Sequence, residues 1–342
     1  MFNSQAASIL LTIAIPSWNR ARFLEGTLAQ LRHEWTADLA EAVEVLVSDN
    51  CSPDDTRAVV AGSVRDGLPV RYVRNEENLG SDRNIAQCFN LARGQYVLIL
   101  GDDDLPVDGA LQELLEILER ENFGVVCVRT YGFNHDFRRE HPGGGGRFER
   151  FADAGRFLQR IGPQMTLISA CAINKSLLPE IDANEFEGEN LVQTHLVVLA
   201  ALRGSCSLYV EKYLVACLRN NTGGYDFSKV FVHNLFALLA AHKKDGLSDA
   251  AIRGIAHHML LSFYPFQMSK IRRQHPERSL STIQYFNERF RAMPLYWLWV
   301  YPILAWPRLP ALIWGTGTTL LGRILNGELR RGLHFARNLI RG

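Results

Sequence analysis

Three consecutive carboxylates, Asp102, Asp103 and Asp104, directly follow the apolar run Tyr96-Val97-Leu98-Ile99-Leu100-Gly101. Such a run reads as a buried parallel strand, which puts the acids at its carboxyl end, where open α/β sheets bind ligands. Adjacent carboxylates repel one another and are best tolerated around a positive charge, and a hard divalent cation carrying a diphosphate supplies one. Taken alone, the triplet reads equally as a solvated acidic turn ahead of a helix beginning near Pro106. Other residues with the right chemistry sit at comparable places. Pro16, Ser17, Asn19 and Arg20 follow a first apolar run, and Ser17, Asn19 and Arg20 offer donors. Asp49 ends a second run and is placed to accept from a nucleobase or ribose. Arg83 stands at the start of a helical stretch, where a guanidinium and free amides can meet an anion together.

These residues need a frame, and the hydrophobic pattern supplies it. Short apolar runs at 10–15, 43–47, 70–73, 96–100 and 125–128 alternate with helical stretches near 20–35, 54–65, 81–92 and 106–121. Leu111, Leu114, Leu115 and Leu118 fall at helical spacing in the last of these. The β-α-β repetition predicts an α/β fold built on a mostly parallel sheet with helices on both faces, so the strand tips converge. No GxGxxG follows the first strand and no GxxxxGK[ST] occurs, which disfavours a nicotinamide cofactor and a P-loop. A GxSxG nucleophile elbow is also missing.

Composition narrows the class further. The 342 residues carry 37 Lys plus Arg against 36 Asp plus Glu, so no global basic field argues for nucleic acid as a partner. Six cysteines without CxxC spacing read as reduced core thiols rather than a disulfide framework or a zinc site. Met1 to Gln5 lacks the basic and long apolar regions of a secretory signal, which places the active part in the cytoplasm.

The second half is more varied. Residues 131–151 turn polar and glycine-rich, with Gly143 to Gly146 in a row, and read as a flexible excursion or hairpin able to act as a lid. A strand is expected at 166–173, a helix over 191–202, and helices through 227–266. His195 and His233 are lone histidines in helical patterns and read as structural. Between Pro294 and Trp306 lie three Trp and two Tyr, interrupted by Pro302 and followed by Pro307, Arg308 and Pro310. These breaks are too frequent for a transmembrane helix. The tail then carries Arg323, Arg330, Arg331, Arg337 and Arg341 against the single acid Glu328. An aromatic platform with a basic amphipathic end predicts a segment lying on an anionic membrane surface. A hydrophobic helical subdomain, a homo-oligomer contact and a re-entrant hairpin are the other readings.

Four stretches together carry a resemblance: 11–20 (LTIAIPSWNR), 47–56 (VSDNCSPDDT), 75–84 (NEENLGSDRN) and 94–104 (GQYVLILGDDD). In this order over about 100 residues the chain resembles the GT-A glycosyltransferases of family 2, and its Gly-Asp-Asp-Asp form is similar to the abequosyltransferase-like branch that builds bacterial surface polysaccharides. The resemblance implies that 1–130 is the nucleotide-sugar-binding half of a GT-A domain, 131–225 its acceptor-binding half, and 226–342 a helical C-terminal region with an interfacial membrane segment. It implies that Asp49 contacts the base, Asp102 the ribose or nucleotide, and that Asp103 binds Mg²⁺ or Mn²⁺ bridging to the diphosphate. An inverting reaction needs one carboxylate base on the acceptor side. In relatives it lies in a Glu-Asp pair ahead of a helix; here the stretch is Glu187-Gly188-Glu189-Asn190, with Asn190 where the Asp is expected. Glu189 is the first choice of base and Glu187 the second, while both also suit a helix N-terminus as simple caps. The implied reaction moves a sugar from a nucleoside diphosphate sugar to a lipid diphosphate-linked glycan in O-antigen-like synthesis, by a peripheral enzyme at the cytoplasmic face of the inner membrane. A catalytically silent nucleotide-binding scaffold is the alternative.

Overall fold

Apolar runs buried on both faces form Leu11–Ser17 (β1), Val43–Asp49 (β2) and Tyr96–Ile99 (β4), and the half-buried Val70–Arg74 (β3) lies at the edge beside β2. In the computed structural model, which describes residues 9–219, 224–275 and 279–325, these four strands are all parallel. The helices between them are Ala21–Glu34 (α1), Ala37–Ala42 (α2), Thr56–Arg65 (α3) and Ser81–Leu91 (α4). Ala110–Arg120 (α5) follows, and its Leu111, Leu114, Leu115 and Leu118 are all buried, as helical spacing predicts.

Beyond β4 the direction of the sheet changes. Asp104–Pro106 (β5), Val125–Phe133 (β6), Phe148–Phe151 (β7), Cys171–Asn174 (β8) and Ser207–Leu218 (β9) complete the strands, with Ala154–Ile161 (α6) and Val192–Arg203 (α7) between them. Among the described residues the sheet has nine strands in the order β3-β2-β1-β4-β8-β6-β9-β5, with β7 paired to β9. Four pairings are parallel and four antiparallel, so the expectation of a mostly parallel sheet is corrected to a mixed one. The reason is that a buried apolar run looks the same in either direction, and only its connections set the sense. The strand expected at 166–173 is confined to β8, because 162–170 is taken up by tight turns, one closed by Thr166 Oγ1 donating to Pro163 O at 2.8 Å.

Residues 131–151 are also more ordered than their composition predicts. Strand β6 runs through Phe133, Tyr131 donates its hydroxyl to Phe137 O at 2.5 Å, and Tyr131, Phe133 and Phe137 are buried. The glycine run passes directly over β9: a Cβ on Gly145 would lie 2.2 Å from the Glu211 carbonyl oxygen, and its φ is +97°.

The chain divides into two compact units, Met1–Gly224 and Tyr225–Gly342. The second is helical: Leu235–Ala241 (α8), Asp249–His258 (α9), Tyr264–Gln274 (α10), Leu280–Phe290 (α11), Tyr301–Ala305 (α12) and Arg308–Leu325 (α13). An aromatic cluster forms its interior, with Tyr264 and Phe286 5.0 Å apart and Phe236 and Phe290 5.1 Å apart, both pairs edge-on. The membrane-associating character expected of this region is corrected. Among the described residues, no helix is long and apolar enough to cross a membrane. Arg330, Arg331, Arg337 and Arg341 of the expected basic tail lie outside the described residues.

At the amino ends of the parallel strands, far along β1 from its tip, Glu44 is a buried carboxylate fully engaged by donors. Thr12 Oγ1 donates to it at 2.7 Å, Arg71 Nε at 2.7 Å and the Arg93 amide at 3.0 Å. Burial pushes its carboxyl up, but the bonds from Arg71, Thr12 and Arg93 outweigh that and hold it below the usual range. Replacing Glu44 with Ala strands these donors, so Glu44→Ala is expected to lower unfolding free energy by about 2–4 kcal/mol, read as a lower urea midpoint at unchanged slope.

Candidate active site

The tips of β1 and β2 are in register, Ser17 beside Asp49 and Pro16 beside Ser48. From there Ser17 Oγ donates to Asp102 Oδ2 at 2.8 Å, reaching the acidic triplet beyond β4. Arg20 follows a turn in which Asn19 takes φ +55°, a conformation Asn tolerates better than most residues. Its guanidinium closes on two carboxylates at once, Nε on Asp102 Oδ1 and Nη2 on Asp103 Oδ2, each at 2.7 Å. Thr27 Oγ1 donates to the Asp102 carbonyl at 2.9 Å, fastening α1 to the same loop.

The third acid points inward. Asp104 accepts a hydrogen bond from Ser169 Oγ, and the same hydroxyl accepts from the Gly101 amide at 2.9 Å. A Cβ on Gly101 would sit 2.9 Å from Asp104 Oδ2, so glycine leaves the space that this fold-back needs. Burial raises the Asp102 carboxyl to about 6, against the pull of Arg20 and Ser17. Burial together with the charge of Asp103 raises Asp104 to about 7, against Ser169. Asp102 and Asp103 thus share one guanidinium, while Asp104 has none beside it. An all-oxygen pair of carboxylates at a strand tip is chemically suited to a hard divalent ion.

Asp49 is buried. It accepts from the Ser52 amide at 2.8 Å, from the Tyr72 hydroxyl and from Arg74 Nη1 at 3.4 Å. Burial, then the Asp49 carboxylate, pushes Tyr72 up to about 12. Neither Tyr72 nor Arg74 was singled out in the sequence, although both lie on β3 next to Asp49. Asn50 organises the following loop, accepting from the Leu79 amide at 2.9 Å and donating to Asn78 Oδ1 at 2.7 Å.

The stretch 187–190 is clamped from α4. Arg83 forms a two-pronged ion pair with Glu187, and Asp82 Oδ2 accepts from the amides of Gly188 at 2.7 Å and Asn190 at 2.9 Å. Arg83 and Glu187, expected to meet a phosphate and an acceptor hydroxyl, therefore hold each other. Asn190 has φ +59°, which explains an Asn at this turn. Glu189 lies one position earlier, and His195 Nε2 bonds its Oε2 at 3.2 Å. The His195 ring is buried and stacked on Phe186, centroids 4.3 Å apart and planes within 4°. Its neighbours Gln193 and Thr194 donate to the carbonyls of Thr166 and Met165 at 2.7 and 3.2 Å, in the turns that carry Ser169.

A further group of metal-capable side chains lies on another part of the same unit. Ligand atoms of His33, Glu34 and Asp108 fall within 4.8 Å of one another, a cluster able to hold a metal ion. Asp108 is already clasped by Arg138 at 2.6 and 2.7 Å, which holds its carboxyl below the usual range.

The fold and this arrangement of strand-tip acids define a GT-A-like α/β domain with mixed sheet topology. Residues 12–181, about half of the chain, match the family described as Glycosyl transferase family 2, and the chain belongs to that family of enzymes. It is 32% identical over 122 residues to abequosyltransferase RfbV of Salmonella typhimurium, covering 35% of this chain and 36% of that one. It is 32% identical over 107 residues to the GalNAc(5)-diNAcBac-PP-undecaprenol beta-1,3-glucosyltransferase of Campylobacter jejuni, covering 31% and 33%. The chain thus spans about a third of the length of either relative. Among solved structures it is similar to residues 1–349 of S. aureus TarS in complex with UDP-GlcNAc, with TM-score 0.61 and 17% identity over 96% of this chain and 92% of that one, a likeness of fold.

The buried Asp104 makes a pH-dependent contribution of definite sign. Above pH about 4 an unfolded chain releases this proton, whereas the folded one keeps it to about 7, so stability falls as pH rises across that window. In metal-free buffer, Asp104→Asn is expected to flatten the decline in melting temperature between pH 5 and pH 8, gaining on the parent protein most at the alkaline end. An unchanged slope shows that Asp104 ionises without cost.

Proposed function

We propose that this protein transfers a sugar, with inversion, from a nucleoside diphosphate sugar to a lipid diphosphate-linked glycan of a bacterial surface polysaccharide. The observation that carries the reading is the strand-tip arrangement itself: buried Asp49, then Ser17 and Arg20 reaching the Asp102–Asp103 pair, in a family 2 frame. Donor recognition falls to Asp49 for the base and to Asp102 for the ribose, with Pro16, Ser17, Asn19 and Arg20 lining the approach. A Mg²⁺ or Mn²⁺ ion held by Asp103 supplies positive charge for the departing diphosphate. The acceptor class is supported by the Campylobacter relative, whose name places its glycan on PP-undecaprenol.

The chemistry requires an acceptor hydroxyl to attack the anomeric carbon while the bond to the diphosphate oxygen breaks and that oxygen takes the electron pair. Glu189 receives the hydroxyl proton. Glu187 is committed to Arg83, and Asn190 has no basic oxygen of comparable strength, so Glu189 is the carboxylate of this loop suited to the task. His195, locked by Phe186, fixes which way that carboxylate faces. A nucleotide-binding scaffold without turnover is the second reading, favoured by Asn190 standing where relatives have an Asp.

Two measurements test this. Calorimetry with UDP, GDP, dTDP and CDP is expected to show one diphosphate binding tightly only with Mn²⁺, and Asp103→Ala to lose it; no binding of any of the four overturns the reading. Binding without transfer to any lipid-linked glycan leaves the scaffold. For the base, His195→Phe keeps the stack and loses the bond to Glu189, whereas His195→Gln keeps a donor. The former is expected to lower kcat by about tenfold or more at unchanged donor KM, and the latter to restore most of it. Equal losses in both, with equal falls in melting temperature, would reduce His195 to packing.

A further inference from the structure

The helical unit contains a cavity that the proposed transfer does not use. It lies between α10 and α13, has a volume of about 120 Å³, and is lined by Ser269, Lys270, Arg273, Gly315, Thr316 and Thr319 among others. That is far more room than one water needs. Ser269 is 5% exposed, and its hydroxyl has no hydrogen-bond partner. Gly315 makes the space for it, since a Cβ there would lie 2.0 Å from Ser269 Oγ.

The donors in this cavity are positive or unspent. Thr316 and Thr319 give their protons to the carbonyls of Leu312 and Gly315, at 2.9 and 2.6 Å, so the available donors are Ser269, Lys270 and Arg273. Helices α10 and α13 together carry Lys270, Arg272, Arg273, Arg308 and Arg323 and no Asp or Glu. Arg272 and Arg308 turn to backbone carbonyls, those of Trp306 and Arg273, each at 3.1 Å. Lys270 is half-buried and Arg273 exposed at the edge of the cavity they line. The buried unsatisfied hydroxyl disfavours an empty cavity, and Lys270 and Arg273 add positive charge at its mouth. A group offering several anionic oxygens and no protons answers all three donors, and an ammonium, a guanidinium and a hydroxyl suit phosphate oxygens well.

We propose that the cavity between α10 and α13 is a binding site for a phosphoryl group, carried as a phosphate or diphosphate. The site is independent of the strand-tip donor site. Its ligand comes either free in solution or borne on a hydrocarbon chain; Phe266 lines the same cavity, and α13 carries Leu309 and Ile313, both 74% exposed.

The test is calorimetric binding of inorganic pyrophosphate and of farnesyl diphosphate to the full chain in EDTA, which removes metal-bridged binding at Asp103. The Lys270→Ala/Arg273→Ala double variant is expected to weaken both by about tenfold or more, since each charged hydrogen bond is worth more than the 1.4 kcal/mol of a tenfold change. Ser269→Ala removes an unpartnered hydroxyl, so it is expected to keep the parent melting temperature and still lose several-fold in affinity, which separates ligand binding from folding. Farnesyl diphosphate binding much more tightly than pyrophosphate assigns the lipid-borne source, and equal affinities assign the free one. Absence of binding by both compounds, or equal binding by parent and double variant, overturns the proposal and leaves a water-filled cavity.

Discussion

Three carboxylates on consecutive residues at the end of one strand have to be held against their mutual repulsion, and much of the first unit is arranged around that requirement. Asp102 and Asp103 are bridged by a single guanidinium from the neighbouring strand tip. Asp104 turns the other way, into the interior, where it is relieved by holding its proton rather than by a counter-charge. The two solutions differ because their surroundings differ. A group beside an arginine at the rim can remain charged, while one enclosed by β9 and the Ser169 turn cannot. The reversal takes place between the adjacent Asp103 and Asp104; the lack of a side chain at Gly101 leaves room for it, and the Thr27 hydroxyl holds the Asp102 carbonyl.

From that loop a series of hydrogen-bonded turns runs to Glu189. Ser169 joins Gly101 and Asp104, the Met165 and Thr166 carbonyls receive Thr194 and Gln193, and the next residue of α7 is His195, bonded to Glu189. The opposite end of the Glu189 loop is pinned by Asp82 and Arg83 on α4. Helix α7 is apolar almost throughout, so three successive polar residues in its first turn are costly to bury unless they find partners, and Gln193 Nε2, Thr194 Oγ1 and His195 Nε2 each have one. Displacements of an ångström matter for proton transfer, and a loop fixed from both sides resists them. Asp82 Oδ1 and Gln193 Oε1 are buried without partners, two imperfect points in this clamp.

The parallel half of the sheet was legible in the sequence because its strands are short, apolar and separated by amphipathic helices, and the positions of Asp49 and the Asp triplet at strand tips follow from that alone. The antiparallel half was not. Cys171–Asn174 and Ser207–Leu218 have the same apolar texture as β1 and β2, and nothing local records that β8 runs against β4. The glycine content of 131–151 predicts looseness, whereas in the fold Gly145 permits a close pass over β9. Arg83 and Glu187 each carry a charge suited to a ligand, and no pattern in the sequence shows that residues 104 apart meet. His195 read as a core histidine. Its burial agrees, but its hydrogen bond to a carboxylate six residues earlier depends on the turn that Gly188 and Asn190 make.

On the proposed reading, ligand binding at the strand tips is an exchange of ionic partners rather than a filling of empty positions. Arg20 is engaged by Asp102 and Asp103, and Arg74 by Asp49, and both side chains are partly exposed and long enough to turn. A diphosphate offers these guanidinium groups a more concentrated negative charge than a carboxylate, and a divalent ion offers Asp103 a stronger partner than Arg20. Each exchange keeps every charge paired, which matters because an unpaired buried carboxylate is far more costly than a rearranged one. The net affinity is then a difference between two sets of good contacts, and it depends on ion and nucleotide arriving together: the ion alone would strand Arg20, and the diphosphate alone would strand the acids. Coupled occupancy of this kind makes the donor site selective for the metal-bound diphosphate over either component.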